Sequence, residues 1–332
     1  MQRVFITDEA TQFLPLYLRF IRGVVDSSDL SLNVSRELLQ QDPTVGSIRS
    51  ALTKRGLDML DKLATGDPDK YETFWGEFGM ALKEGLAEDP SNREKIASLL
   101  RFNSTRSEGL DQDRSLADYL DSAGDGQETI YYLTAESATG ARSSPHLEAL
   151  REREIEVLLL SDRIDEWAMQ HLTEFRGKTF KDITRGDIQL ENAEASQVPE
   201  TEITKEQKQT LKRIKRVLRD KVDEVRMGAR LKESAACLVL AEQDLGFQMR
   251  ELLKATGHDS PDTAPSLELN SDHPLVGRLL SEPDGQRFEN LSWALFEQAT
   301  LVEGQPLEDP ASFVRRMNEL ILDDGSAADD SA

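Results

Sequence analysis

The feature that most constrains the fold is an alternation of strand and helix patterns between residues 130 and 172. Residues 130–133 (IYYL) and 155–160 (IEVLLL) are short apolar runs typical of strands, the second of a buried one. Ser144-Pro145 opens a helical pattern between them, and Asp162 caps another that follows. Strands separated in this way are typically parallel and joined by a crossover, so the pattern predicts a small α/β unit.

Helical patterns surround this unit. Residues 13–25 are expected to form a mostly buried helix after a strand at residues 4–6. Asp67-Pro68 starts a helix with a bulky aromatic face. Capping boxes are predicted at residues 91–94 and 204–207. A single apolar stripe along a further helix consists of Ile48, Leu52, Met59 and Leu63.

The last third of the chain mixes both patterns. Strands are predicted at 222–231, 236–240 and 266–269, with a short helix at 245–255. Two closing helices are predicted at 286–303 and 308–322, and the first carries apolar residues at 3-4-4-3 spacing. The chain therefore belongs to the α/β and α+β classes: multidomain and helix-rich, with small αβα sandwich units before a mixed α+β C-terminal domain that ends in a helix pair.

Charge and composition narrow the function. The 40 Lys and Arg residues face 62 Asp and Glu residues, a net charge of -22. Such a surface repels phosphate backbones and anionic lipid, which argues against nucleic acid and membranes as partners. One cysteine, Cys237, and four dispersed histidines favour a reduced, cytoplasmic protein without a metal site.

No common catalytic motif stands out, but three positions suggest binding. Arg36 lies in what reads as the first turn of a helix, where it could help to bind phosphate or could pair with a surface carboxylate. Trp167 and Met249 lie on predicted helices and could contact a peptide or pack in the core. The residues alone leave these alternatives open.

Longer segments resemble a known family. They are residues 3–8 (RVFITD), 24–37 (VVDSSDLSLNVSRE), 99–105 (LLRFNST), 130–134 (IYYLT), 157–166 (VLLLSDRIDE) and 313–318 (FVRRMN). They resemble the middle and C-terminal domains of the 90-kDa heat-shock protein chaperones, and the bacterial HtpG type fits best. The resemblance covers roughly residues 2–322 and begins inside the middle domain of the family, so we expect the amino-terminal ATP-binding domain to be absent from this chain.

The resemblance implies roles for named residues. Arg36 matches the arginine that the middle domain supplies to the γ-phosphate of ATP, with Asn33 and Gln40 on the same loop and helix. ATP and magnesium would be cofactors of the intact protein, whereas this chain alone is expected to bind and hydrolyse no ATP. Trp167 and Gln170 match a client-contacting surface, and Met249 and Leu253 match an exposed amphipathic helix.

The resemblance also implies partners and a domain order. The chain is expected to form a homodimer through Leu291, Leu295, Phe313, Met317 and Leu320, and to bind unfolded clients and other chaperones. The expected segments are the remainder of the large αβα part (1–66), a helical connector (67–124), the small αβα part (125–186), an acidic linker (187–203), the dimerisation domain (204–322) and a disordered tail (323–332).

Two other functions are weighed against an ATP-coupled chaperone. A nucleotide-independent dimeric scaffold or holdase would leave Arg36 without a role. An independent small-molecule enzyme would require a deep pocket with converging titratable groups, for which the sequence gives almost no sign.

Overall fold

The computed structural model describes residues 11–26, 43–124, 126–188, 203–257 and 263–326. The expected strand at residues 4–6 and most of the expected linker lie outside these residues. The chain separates into two units, the first of residues 1–103, 111–122 and 167–179 and the second of residues 104–110, 123–166 and 180–332. The finer division into six segments stays a prediction.

Helices and strands alternate along the chain, which confirms the expected mixed fold class. The helices are α1 (Pro43–Gly66), α2 (Pro68–Glu88), α3 (Arg93–Leu99), α4 (Leu116–Ser122), α5 (Ala138–Arg142), α6 (Glu148–Glu152), α7 (Asp165–Met169), α8 (Lys205–Leu218), α9 (Phe247–Ala255), α10 (Pro274–Ser281), α11 (Gln286–Val302) and α12 (Pro310–Ser326). The strands are β1 (Asn103–Ser104), β2 (Thr129–Thr134), β3 (Leu158–Leu160), β4 (Glu174–Phe175), β5 (Lys178–Asp182), β6 (Val225–Met227), β7 (Ala236–Val239) and β8 (Ser266–Leu269).

The first unit is built on α1, α2 and α3. Asp67 accepts a hydrogen bond from the Lys70 amide and Pro68 occupies the first turn of α2, as the sequence predicts. Along α2 the predicted aromatic face contributes the buried Tyr71 and Trp75. The core of this unit also contains Tyr17, Leu57, Leu82, Leu86 and Ile96, each fully buried.

One helix and one capping box predicted in the first unit are wrong. Residues 13–25 form short 3-10 turns, Thr11–Phe13 and Leu16–Leu18, because Pro15 between them is extended and has no amide hydrogen to donate. Residue Ser91 caps no helix: it lies in the 3-10 turn Pro90–Asn92, and α3 begins after it without a side-chain cap.

The apolar stripe predicted for α1 is also displaced. The helix exists over Pro43–Gly66, but Met59 is exposed while Val45, Leu57 and Leu60 are buried. Small residues at Thr53 and Gly56 complete the buried face. The buried face was missed because it contains polar and small side chains that an apolar count ignores.

The second unit opens with the predicted crossover. Strands β2 and β3 are parallel, with Tyr132 opposite Leu158 and Thr134 opposite Leu160. The Ser144 side chain accepts a hydrogen bond from the His146 amide and starts a 3-10 turn that leads into α6. The α7 helix begins at Asp165, three residues after the predicted cap Asp162, and the Asp165 carboxylate accepts the Asp162 amide across the turn between them.

A second sheet in this unit has the strand order β6-β8-β7. Strand β8 is parallel to β6 and antiparallel to β7. Helix α8 starts with the predicted capping box, in which Thr204 and Gln207 exchange hydrogen bonds. The core between α8, α11 and this sheet contains Leu211, Ile214, Leu218, Val225, Leu238, Leu267, Leu269, Phe288, Leu291 and Leu295.

Helices α11 and α12 close the second unit as the sequence predicts, except that α12 continues to Ser326, into the segment expected to be disordered. The Arg316 guanidinium forms an ion pair with the Glu297 carboxylate across the two helices, and the Asn290 amide nitrogen donates to Glu319 at 2.8 Å. None of the helices in the described part of the chain is both long and apolar enough to cross a bilayer.

Candidate functional site

The three residues expected to act on ATP, Arg36, Asn33 and Gln40, lie outside the described residues. The fit of these residues to a nucleotide therefore stays a prediction. Among the residues that the structure describes, no group of three or more His, Cys, Asp or Glu side chains could hold a metal ion.

Trp167 and Gln170 lie on and just after α7. The Trp167 ring is half-buried and meets the His171 ring edge to face, with centroids 5.1 Å apart. Gln170 is exposed, and its amide donates to the Trp167 carbonyl, which ends the helix. The other four residues of α7 are buried, so within this helix only Trp167 keeps partial access to solvent, and Gln170 lies on the surface just after it.

Met249 and Leu253 lie four residues apart on α9, and both side chains are half-buried. Arg250, next to Met249 in the helix, is only 9% exposed. Its guanidinium donates to the Thr263 carbonyl at 2.6 Å and to the Thr263 hydroxyl at 2.8 Å, and its Nε donates to the Leu245 carbonyl at 2.8 Å. A buried cation therefore holds α9 in place, while the Met249–Leu253 face keeps access to solvent.

The expected dimerisation residues differ in exposure. Leu291 and Leu295 on α11 are 5% and 3% exposed and pack in the core of their own chain. Phe313, Met317 and Leu320 on α12 are half-buried. The apolar side chains that α12 leaves most exposed are Val314, Ile321 and Leu322, at 55%, 65% and 74%. The accessible apolar area of this helix pair therefore lies mainly on α12.

The second unit contains a buried ionic network that the sequence patterns do not predict. Arg230 donates to the Glu268 carboxylate at 3.0 Å and to the carbonyls of Ile183 and Gly186 at 2.9 and 2.6 Å. Arg226 also donates to Glu268, at 2.9 Å. Arg230 and Glu268 are 6% and 3% exposed, so each charge depends on the other for solvation.

Two observations bear on the enzyme alternative. A cavity of about 400 Å³ in the second unit is lined in part by Thr134, Ser137, Phe247 and Glu303. The Glu303 carboxylate is already bonded to the buried His146 ring at 2.8 Å. Burial raises the pKa of the Cys237 thiol, which keeps it protonated and unreactive.

Comparison with known families decides the classification. The model of the Hsp90 protein family matches residues 1–332. The chain belongs to the Hsp90 family. This result confirms the resemblance to the 90-kDa heat-shock chaperones, and membership implies a molecular chaperone function.

Family membership does not by itself show which of the candidate residues contact a client protein. The structure gives Trp167 and Met249 partly accessible side chains, as contact residues require, and it places them in different units. It also adds charged residues that no sequence motif indicated, among them the buried carboxylates of Glu166 and Glu268.

Proposed function

We propose that this Hsp90-family chain binds partly folded client proteins through the Met249–Leu253 face of α9 and the Trp167–Gln170 surface of α7. The observation that carries the proposal is the construction of α9. Buried Arg250 holds the helix through Thr263, while Met249 and Leu253 are only half-buried and keep adaptable apolar area accessible to solvent.

The chemistry of these side chains suits unfolded chains of many sequences. Methionine is flexible and polarisable, and a tryptophan ring contributes large apolar area with few rotatable bonds. Both can therefore contact different apolar segments without a fixed hydrogen-bond pattern. The net charge of -22 around them would keep the complex soluble and would favour neutral or basic client segments over acidic ones.

The test measures affinity for an unfolded reporter, fluorescein-labelled reduced and carboxymethylated α-lactalbumin, by fluorescence anisotropy. Met249→Ala and Trp167→Ala are each expected to raise Kd about tenfold, the effect of truncating a central apolar contact by about 1.4 kcal/mol. Met59→Ala is the matched control, because Met59 is 53% exposed on α1 and outside both surfaces. Equal affinities for the wild type and both candidate variants would contradict the proposal.

We further propose that the functional form is a homodimer joined mainly through α12. Its exposed Val314, Ile321 and Leu322 side chains would be removed from water by a second subunit, and two adjacent helices can pair with the same two helices of another copy. Serine at all three positions should yield a monomer in multi-angle light scattering, whereas Leu110→Ser, at a 51% exposed leucine elsewhere, should leave the mass unchanged. An unchanged mass for the triple variant would exclude α12 as the interface.

The nucleotide coupling rests on the match of Arg36, Asn33 and Gln40 to the family. We propose that Arg36 stabilises negative charge on a triphosphate that another domain holds. ATP turnover by a separately made amino-terminal Hsp90 domain should rise when this chain is added, and Arg36→Ala should abolish the increase. No difference between wild type and Arg36→Ala would favour the nucleotide-independent scaffold or holdase.

A further inference from the structure

The first turn of α9 contains an unusual arrangement of donors and acceptor. Gly246, the residue before the helix, has no side chain with which to cap the free amides. One carboxylate from elsewhere in the chain replaces it: Glu166 Oε1 accepts the Gly246 amide at 2.5 Å and Oε2 accepts the Met249 amide at 2.8 Å. In a capping box two different side chains satisfy these two positions. Here Glu166 satisfies both.

The surroundings of Glu166 hold the carboxylate in place. Glu166 is 4% exposed, and Arg185 donates to its Oε1 at 3.2 Å. A second guanidinium nitrogen of Arg185 donates to the Asp244 carbonyl at 2.7 Å, in the loop that leads into α9. The negative charge is therefore paired, and it lies where the helix dipole is positive.

Gly246 supplies independent evidence for this contact. A Cβ at position 246 would lie 2.4 Å from Glu166 Oε1, closer than real Cβ atoms approach. The carboxylate reaches both amides because residue 246 has no side chain. Glutamate and glycine thus form one structural element, although they lie 80 residues apart in the sequence.

We infer that Glu166 is a positioning residue for client binding, which fixes the first turn of α9 from outside the helix and so sets the direction in which Met249 is presented. This inference rests on the proposed function. Glu166 is buried and need not touch the client; it acts through the Met249 amide that it accepts. It also directly precedes Trp167 in α7, so that one helix carries both a candidate contact residue and the cap of the other candidate helix.

Hydrogen–deuterium exchange of the full chain tests whether Glu166 fixes the first turn of α9. In Glu166→Ala the amides of residues 250–254 should exchange about tenfold faster, the loss expected for a helix cap. Gly246→Ala should give the same change, because its methyl group displaces the carboxylate. Glu166→Gln keeps one acceptor oxygen, so its exchange rates should lie between those of the wild type and those of Glu166→Ala. Glu242→Gln is the control, since Glu242 is an exposed carboxylate in the loop before α9 that pairs with Lys181.

Exchange in β7 and β8 should stay at the wild-type rate, which separates local loosening of α9 from loss of the whole fold. Wild-type exchange of α9 in both Glu166→Ala and Gly246→Ala would overturn the inference.

Binding of the labelled α-lactalbumin reporter tests whether this fixed first turn matters for client binding. Both variants should raise Kd about threefold to tenfold while Glu242→Gln has no effect. Faster exchange of α9 with an unchanged Kd would overturn the positioning role, provided that Met249→Ala still weakens binding. If Met249→Ala itself binds like wild type, the proposed function fails, and the capping by Glu166 is then judged by exchange alone.

Discussion

Replacement of Glu148 by Gln should destabilise the second unit in a pH-dependent way. Glu148, at the start of α6, accepts the amides of Lys232, Glu233 and Ser234 at 2.5, 2.8 and 3.1 Å and also the Ser234 hydroxyl. These contacts join α6 to a loop more than 80 residues away in the sequence. Burial opposes ionisation of this side chain, but the four donors outweigh it and lower the pKa of Glu148.

The size of the effect follows from the donors. Hydrogen bonds to a charged group contribute about 1.5–3 kcal/mol. Because this carboxylate is only half-buried, solvent screens its charge, and we expect the loss of unfolding free energy to lie near the low end of that range. Glutamine retains one acceptor oxygen and loses the charge, so the free energy of unfolding at pH 7 should fall by about 2 kcal/mol. At a urea dependence of roughly 2 kcal/mol/M, the unfolding midpoint should fall by about 1 M.

The pH dependence follows from the direction of the pKa shift. Because the folded state lowers the pKa of Glu148, its stabilisation is complete above the unfolded pKa of ~4.3 and is lost as the pH falls through the lower, folded pKa. The wild type and Glu148→Gln should therefore differ at pH 7 and converge in acid.

Urea unfolding monitored by Trp293 fluorescence, with Trp75 and Trp167 replaced by Phe, would isolate the second unit. Ser234→Ala is the matched control: it removes one donor and should cost about 1 kcal/mol with little pH dependence. Equal midpoints for the wild type and Glu148→Gln at pH 7, or a difference that persists unchanged at pH 3, would refute the reasoning.

Three further changes test the packing of the second unit in the same urea assay. Thr204→Ala removes the cap of α8 and should cost about 1 kcal/mol, whereas a cost near zero would mean that water replaces the capping box. Leu267→Ala deletes a fully buried β8 side chain and should cost about 3 kcal/mol; a cost under 1 kcal/mol would show that the core collapses around the site. Arg316→Met leaves the 6% exposed Glu297 unpaired and should cost about 3 kcal/mol. Adding Glu297→Leu should recover most of that loss. A double variant that stays as unstable as Arg316→Met would argue against this pairing.

Elements whose signals are local could be predicted from the sequence. The capping box at Thr204 and Gln207 needs only residues three apart, and strand β8 was bounded correctly at Ser266–Leu269. The parallel pairing of β2 and β3 followed from their spacing and the intervening helices. In each case the deciding interaction, or the crossover that imposes it, lies within about 30 residues of chain.

The failures also have local causes. Pro15 interrupts residues 13–25, and giving it more weight would have predicted turns there. On α1 the contact face includes Thr53 and Gly56, which no hydrophobic periodicity identifies. The short helix predicted at 245–255 is present as α9, and Met249 and Leu253 are half-buried on it, but the sequence pattern contains no information about what fixes the helix.

The Glu166 carboxylate fixes α9, and it is one of several carboxylates with long-range contacts that are hard to find among 62 acidic residues. Glu148, Glu166 and Glu268 look like surface residues in the sequence, yet each binds donors from distant segments. The more informative sequence signal is the glycine that lies against each of two of these carboxylates. Gly246 faces Glu166, and Gly228 faces Glu268 so closely that a Cβ there would lie 1.8 Å from the carboxylate. At these two positions the carboxylate occupies the space that a side chain would fill. We therefore expect Gly228→Ala to displace Glu268 from Arg230, as Gly246→Ala displaces Glu166 from α9.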